Sequence, residues 1–280
     1  MRGIGPLIPG RYAGIVVVIF TDLDGTLLDH HTYGIEPARP VLERLNRAGV
    51  PVVFCTSKTR AETEYWRSRT GNHSPFVAEN GAAAFIPRGH FPFPAPGAIL
   101  RDNYEVLEFG TPYAQLLAAL AKAEMASGCP VRAFHRMQAP EIAALAALPL
   151  EQAELARLRE YDEPFQILDP GRESQLLKEI ESQGLRWTRG GRFCHITGGH
   201  DKSSAVQALA ALYRRTTPNL VTVALGDGLN DAPMLLAADR PVIMPSAHAD
   251  RLLEIVPHAR LAPEPGPSGW ARVISEMIPE

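Results

Sequence analysis

The stretch VVIFTDLDGTLLD, residues 17–29, joins a run of β-branched and aromatic residues to two carboxylates, a glycine and a hydroxyl. Residues 15–20 are all apolar, which is how a strand buried on both faces of a parallel sheet reads. The run stops at Asp22 and Asp24, one residue apart. Anions that close repel one another unless something positive lies between them or one carboxyl holds a proton. The remainder of the chain has to supply the reason for placing them there.

Downstream, residues 37–48 are expected to form a helix with Val41, Leu42 and Leu45 on one face and Gly49 at its end. A second buried strand over 50–55 ends in Thr56-Ser57, a helix follows over 60–70, and a third strand over 75–84 is broken at Glu79-Asn80-Gly81. Alternation of this kind predicts an α/β fold on a parallel sheet. The rhythm breaks at 87–99, which holds four prolines and resists regular structure. Beyond it come Ala/Leu-rich helices over 113–126 and 141–160, the second interrupted at Pro149, then PFQIL and a helix over 174–183. LRWTRGGRFCHI, 185–196, reads as a hairpin around Gly190-Gly191. From Ser203 the first texture returns: a helix over 204–214, the strand LVTVAL ending in Gly226-Asp227-Gly228, a short helix over 229–238, a strand over 241–244 and a closing helix over 270–278. The expected organisation is an α/β core from residues 1–86 and 198–280, with an α+β module, 87–197, inserted in it.

The 280 residues are 45% apolar and 21% charged, with a net charge of −3, so nothing points to nucleic acid or an anionic membrane as partner. Cys55, Cys129 and Cys194 are odd in number and far apart, which fits reduced thiols in a cytoplasmic protein rather than a disulfide framework or a zinc site. The apolar run at 15–20 is far short of the ~20 residues that span a bilayer. Its removal as a secretory leader would destroy the motif it feeds.

Two apolar strands thus run into aspartate-bearing turns, IFTDLDG and VALGDGLND. In an open parallel sheet, ligands bind beyond the carboxyl ends of the strands. If these two strands are neighbours, Asp22, Asp24, Asp227 and Asp231 converge and require a cation, and hard oxygen ligands suit Mg²⁺. Thr56 and Ser57 offer hydroxyl and N–H groups for phosphate oxygens, and Lys202 offers positive charge. The chemistry such a set can perform is phosphoryl transfer, with one carboxylate attacking phosphorus and a second serving as acid and base. On this reading Asp22 is ionised, while Asp24, raised by its neighbours, carries the proton. Each piece alone has a plainer reading: a solvated turn for DxD or GDGLND, a helix cap for Thr56-Ser57, a surface position for Lys202. Their order along the chain is what argues for a site.

The ordered set Asp22-Leu-Asp24-Gly-Thr26, Thr56, Lys202 and Gly226-Asp-Gly-Leu-Asn-Asp231 resembles the haloacid dehalogenase superfamily of phosphohydrolases. The position of the inserted module is similar to the subgroup with a large α/β cap. The resemblance implies a Rossmann-like core and a cap that closes over it to contact the part of the substrate that is not phosphate. Carried over by residue, Asp22 becomes the nucleophile that forms an aspartyl phosphate, and Asp24 the acid/base whose carbonyl also meets Mg²⁺. Asp227 becomes a further metal ligand, with Asp231 behind it or bound through water. Thr56, the Ser57 amide, Lys202 and Asn230 hold the phosphoryl group. REYDEPF (159–165), GGRFCHITGGHDK (190–202) and CTSKTRAE (55–62) resemble the branch that removes phosphate from mannosyl-3-phosphoglycerate, leaving the compatible solute mannosylglycerate. A phosphorylated sugar-glycerate is then the expected small-molecule partner. Glu163 is a candidate for mannose hydroxyls and Arg192 for the glycerate carboxylate. His195 is a third candidate, although strand alternation puts it opposite Arg192 unless a bulge intervenes. Ser203 stands where that family usually has glycine. The alternatives are phosphatases of glucosyl-3-phosphoglycerate, sucrose phosphate or free sugar phosphates, a phosphosugar mutase on the same core, and a binding module on a dead scaffold. The last would be expected to lack a catalytic aspartate, and all are present.

Overall fold

The computed structural model describes residues 11–12, 15–189 and 193–279. They fall into two compact units, one formed by residues 1–57, 65–108 and 201–280 and the other by 58–64 and 109–200. The first half of the chain supplies β1 (Arg11–Tyr12), β2 (Ile15–Thr21), α1 (Arg39–Arg47), β3 (Val52–Cys55), α2 (Arg60–Thr70), β4 (Phe76–Ala78), β5 (Ala83–Pro87), β6 (Ile99–Arg101) and β7 (Tyr104–Glu108). The middle supplies α3 (Tyr113–Ser127), β8 (Val131–Ala133), α4 (Ala139–Ala146), α5 (Leu150–Ala156), β9 (Asp162–Ile167), α6 (Glu173–Ser182), β10 (Arg186–Arg189) and β11 (Cys194–Thr197). The last part supplies α7 (Lys202–Thr216), β12 (Leu220–Gly226), α8 (Ala232–Leu236), β13 (Arg240–Ile243), α9 (Ala249–Ile255), β14 (Arg260–Leu261) and α10 (Gly266–Met277).

The first unit is an α/β structure on a sheet ordered β14-β13-β12-β2-β3-β4-β5-β7-β6, with β1 paired to β2. From β14 to β4 the strands are parallel, and Ile19 of β2 lies between Val223 of β12 and Val52 of β3. Strand β2 is thus central and is flanked by the chain's second and near-last core strands, so the strand order reverses beside it. Val18, Ile19 and Phe20 are fully buried, as a strand covered on both faces requires.

The four prolines did not mark the start of the inserted module. Residues 87–108 lie in the first unit, where β5, β7 and β6 extend the sheet beyond β4 with each neighbouring pair antiparallel. A two-residue turn with Asp102 at φ +52° joins β6 to β7, Val106 is fully buried, and the Glu105 carboxylate accepts from the Ala95 N–H at 2.6 Å. The strand expected over 75–84 is two antiparallel strands, β4 and β5. The helix expected over 141–160 is α4 and α5, parted where Ala147 turns left-handed (φ +56°) ahead of Pro149.

The second unit is an antiparallel sheet, β10-β11-β9-β8, with α3 and α6 packed on one face through Leu116, Leu120, Phe165, Leu176, Ile180 and Ile196. The expected hairpin is present, pairing Arg189 with Cys194; its turn at Gly190-Gly191, and Arg192, lie outside the described residues. Cys55, Cys129 and Cys194 are buried and free. Among the described residues no helix is long and apolar enough to cross a membrane.

Candidate active site

Every core residue singled out from the sequence lies at or beyond the carboxyl end of β2, β3 or β12, or at the start of α7. The β2–β12 ladder runs up to Asp22, whose N–H donates to the Leu225 carbonyl at 2.9 Å. A tight turn follows, closed by Gly25 N–H to the Leu28 carbonyl at 2.9 Å and Leu28 N–H to the Leu23 carbonyl at 2.8 Å. Gly25 has φ +76°, and a Cβ there would stand 2.5 Å from Asp227 Oδ2, so only glycine lets the two aspartate turns approach. Thr26 Oγ1 donates to Asp227 Oδ1 at 3.2 Å across that gap.

The centre of the site is Lys202, fully buried. Its Nζ donates to Asp22 Oδ1 at 2.7 Å, Asp231 Oδ1 at 2.6 Å and the Cys55 carbonyl at 2.8 Å. Burial disfavours its charge, but Asp22 and Asp231 outweigh that and hold its pKa above the ordinary lysine value. Asp201 places this lysine at the first position of α7 by accepting from the Ser203 N–H at 2.8 Å and from Ser203 Oγ. Ser203 thus adds its hydroxyl to the cap.

Asp22, Asp227 and Asp231 each offer a carboxylate oxygen within 4.8 Å of the others. Burial pushes Asp22 well above the usual carboxylate range; Lys202 pulls it down, and Asp231, Asp227 and Asp24 push it further up. Asp227 is raised to about 6 by burial and then by Asp231. Crowded, desolvated anions with only oxygen donors fit a hard divalent cation, which would relieve the repulsion Lys202 leaves. Asp231 is already engaged: Oδ1 by Lys202, and Oδ2 by the N–H groups of Asp227 and Gly228 at 3.0 and 2.9 Å. It fixes the β12 turn and the lysine.

Thr56 follows β3 and is buried, its N–H donating to the Val77 carbonyl at 3.0 Å. Ser57 is half-buried and Asn230 exposed. Two residues that bear on the site carried no role from the sequence. Ser246 Oγ donates to the Asp227 carbonyl at 2.7 Å, and Asn80 Oδ1 accepts from Asn230 Nδ2 at 3.0 Å. Ser246 comes just after β13, so the rule that drew attention to the ends of β2 and β12 reaches it too.

In the second unit, Glu163 and His195 are not brought together. Glu163 is fully buried, accepting from Tyr113 OH at 2.5 Å and from the His135 N–H at 3.0 Å, with His135 Nδ1 at 2.7 Å. Strand alternation puts it on the side of Phe165, the face covered by α3 and α6. His195 belongs to the opposite face, where Nδ1 meets the fully buried Asp162 at 3.0 Å. Burial pushes Asp162 up, but His195 and Arg159 more than offset it and hold the carboxyl below its ordinary value. His135 thus supports Glu163 through both its backbone and its ring.

A profile of the haloacid dehalogenase-like hydrolases matches residues 19–89 and 158–258. The chain is 41% identical over 264 residues to a glucosyl-3-phosphoglycerate/mannosyl-3-phosphoglycerate phosphatase of Methanococcoides burtonii, covering 93% of this chain and 97% of that protein. It is 38% identical over 226 residues to a mannosyl-3-phosphoglycerate phosphatase of Pyrococcus furiosus, covering 80% and 89%. A solved phosphatase of the haloalkanoate superfamily from Bacteroides thetaiotaomicron shares the fold, with a TM-score of 0.65 at 19% identity, covering 99% of this chain and 98% of that one.

Proposed function

The chain belongs to the haloacid dehalogenase-like hydrolases, and from that membership we propose that it is a Mg²⁺-dependent phosphomonoesterase releasing phosphate from mannosyl-3-phosphoglycerate. The observation that carries the catalytic part is the buried Lys202 ammonium held between Asp22 and Asp231 beside three converging carboxylates. The names of relatives with 41% and 38% identity support the substrate. The first of those names includes the glucosyl compound, which supports glucosyl-3-phosphoglycerate as a second substrate.

In the proposed reaction an Asp22 oxygen attacks phosphorus in line with the ester oxygen, and the P–O bond to glycerate breaks. Asp24 gives its proton to the leaving oxygen, then takes one from a water whose oxygen attacks the aspartyl phosphate. That step breaks the bond to Asp22, frees inorganic phosphate and restores both carboxyls. Thr56, the Ser57 amide, Lys202 and Asn230 hold the non-bridging oxygens throughout. Asp22, Asp227 and the Asp24 carbonyl would hold Mg²⁺, which would supply positive charge against the phosphoryl oxygens.

The test is phosphate release under Mg²⁺ from mannosyl- and glucosyl-3-phosphoglycerate beside mannose 6-phosphate and 3-phosphoglycerate. The kcat/KM for the glycosyl phosphoglycerates is expected to lead by orders of magnitude. A lead for a plain sugar phosphate would overturn the substrate. Isomerisation of a sugar phosphate without phosphate release would replace the hydrolase with a mutase.

A further inference from the structure

Three consecutive residues after β4 take left-handed backbone: Glu79 at φ +47°, Asn80 at +58° and Gly81 at +96°. Side chains other than glycine enter that region at a cost, and two in succession persist only where the surroundings hold them there. What holds this turn is the machinery for phosphate. The Asn80 N–H donates to the Thr56 carbonyl at 2.9 Å. The Asn80 Oδ1 accepts from Asn230 Nδ2 at 3.0 Å. At Gly81 a Cβ would stand 2.0 Å from the Asp201 carbonyl oxygen and 2.7 Å from Lys202 Cα, so glycine is what lets the start of α7 lie against the turn. One three-residue turn therefore meets each of the separate chain segments that carry Thr56, Lys202 and Asn230.

We propose that Glu79-Asn80-Gly81 is a positioning element for the phosphate-holding groups, with Asn80 acting as a positioning residue through the Asn230 amide. The proposal rests on the phosphatase reading above and adds a residue to it. Asn230 is exposed, and its side chain would otherwise sample several rotamers. The hydrogen bond to Asn80, whose own backbone is pinned to Thr56, fixes the amide before a phosphoryl group arrives. Such pre-organisation lowers the entropy lost on binding and reaction.

Asn80→Gly tests this without adding strain, because glycine accepts the left-handed backbone while the amide is lost. Asn230→Ala and the double variant complete a cycle, and Asn230 is exposed enough for its truncation to leave the fold alone. Two quantities are read under Mg²⁺: the Kd of inorganic phosphate by calorimetry, and kcat/KM for phosphate release from mannosyl-3-phosphoglycerate. Asn80→Gly is expected to weaken both about tenfold. In the Asn230→Ala background the same change is expected to cost less than about twofold. A glycine variant equal to wild type, or a loss that carries over undiminished into the Asn230→Ala background, overturns the proposal. A wild type that binds phosphate yet hydrolyses no glycosyl phosphoglycerate would sink the substrate reading instead. The phosphate Kd cycle would then decide the positioning role by itself.

Discussion

Lys202 and Asp22 form the shortest link between stability and chemistry in this chain, and substituting each has a different expected cost. Lys202 is fully buried and neutralises two carboxylates. Lys202→Met leaves Asp22 and Asp231 buried without it, and removing one partner of a buried ion pair typically costs about 3–5 kcal/mol. Urea unfolding should show a loss of that size together with lost phosphate release. Asp22→Asn behaves differently. The amide oxygen can still accept from Lys202, Asp231 Oδ1 and the Cys55 carbonyl remain as its partners, and one of several mutually repelling anions is gone. We expect turnover to fall at least about a thousandfold with the unfolding midpoint close to wild type. Retained turnover would remove Asp22 as nucleophile, and a collapse in stability equal to that of Lys202→Met would show the carboxylate to be structural.

Among the elements, the segment between β5 and β6 shows how irregular chain can be held as firmly as a strand. His90 is buried with its Nε2 2.9 Å from Tyr213 OH on α7, Phe91 lies edge-on to Tyr213, and Phe93 stacks on Phe91 with Arg215 over its ring. Burial, and then the Arg67 charge, push His90 down to about 4. An unfolded histidine takes up its proton near pH 6.5, so between 6.5 and 4 the unfolded state holds more protons and stability falls as pH falls. The contribution lost over that range is up to ~3 kcal/mol. In His90→Asn the stability curve should be flatter than wild type between pH 7 and 4.5; parallel curves would mean that His90 does not titrate on unfolding. The segment is also among the parts of the fold least legible in the sequence. Its prolines hid a hairpin whose signal, Asp102-Asn103 between ILR and YEVLE, was present but weak. Tyr104 and Glu105 are half-buried, so the alternation seen in a half-solvated strand was blurred. Strands β2 and β12 were legible because burial on both faces leaves a mostly apolar run, interrupted in β12 by Thr222, just ahead of an aspartate-bearing turn. Asn80 was visible only as an interruption, since its role depends on Asn230, 150 positions away.

At the scale of the whole molecule, the carboxylates of Asp22, Asp227 and Asp231 come from opposite ends of the core sequence and meet only when β2 and β12 pair. The ends of those strands were readable from the sequence, as were the aspartates beyond them. Their oxygens converge through tertiary pairing that no local pattern encodes. A cation bound there binds the folded chain and not the unfolded one, so it must raise stability by mass action, by about 2.7 kcal/mol at a hundredfold excess over its Kd. For a chain of this size that is a rise in Tm of roughly 5 °C. Protons compete for the same site. Asp227, raised to about 6, is ionised at pH 7.5 but only about one quarter ionised at pH 5.5, so Mg²⁺ affinity should fall roughly fourfold between those values. The sign is independent of the metal's identity: a raised carboxyl favours the metal-free fold at low pH, and the cation recovers stability only where that proton has left. Thermal melts in EDTA and in Mg²⁺ should therefore differ more at pH 7.5 than at pH 5.5, and in Asp227→Asn the difference should nearly vanish at both. An equal Mg²⁺ shift in wild type and Asp227→Asn would place the cation elsewhere. A shift that grows on acidification would show that Asp227 is not the group whose proton it displaces.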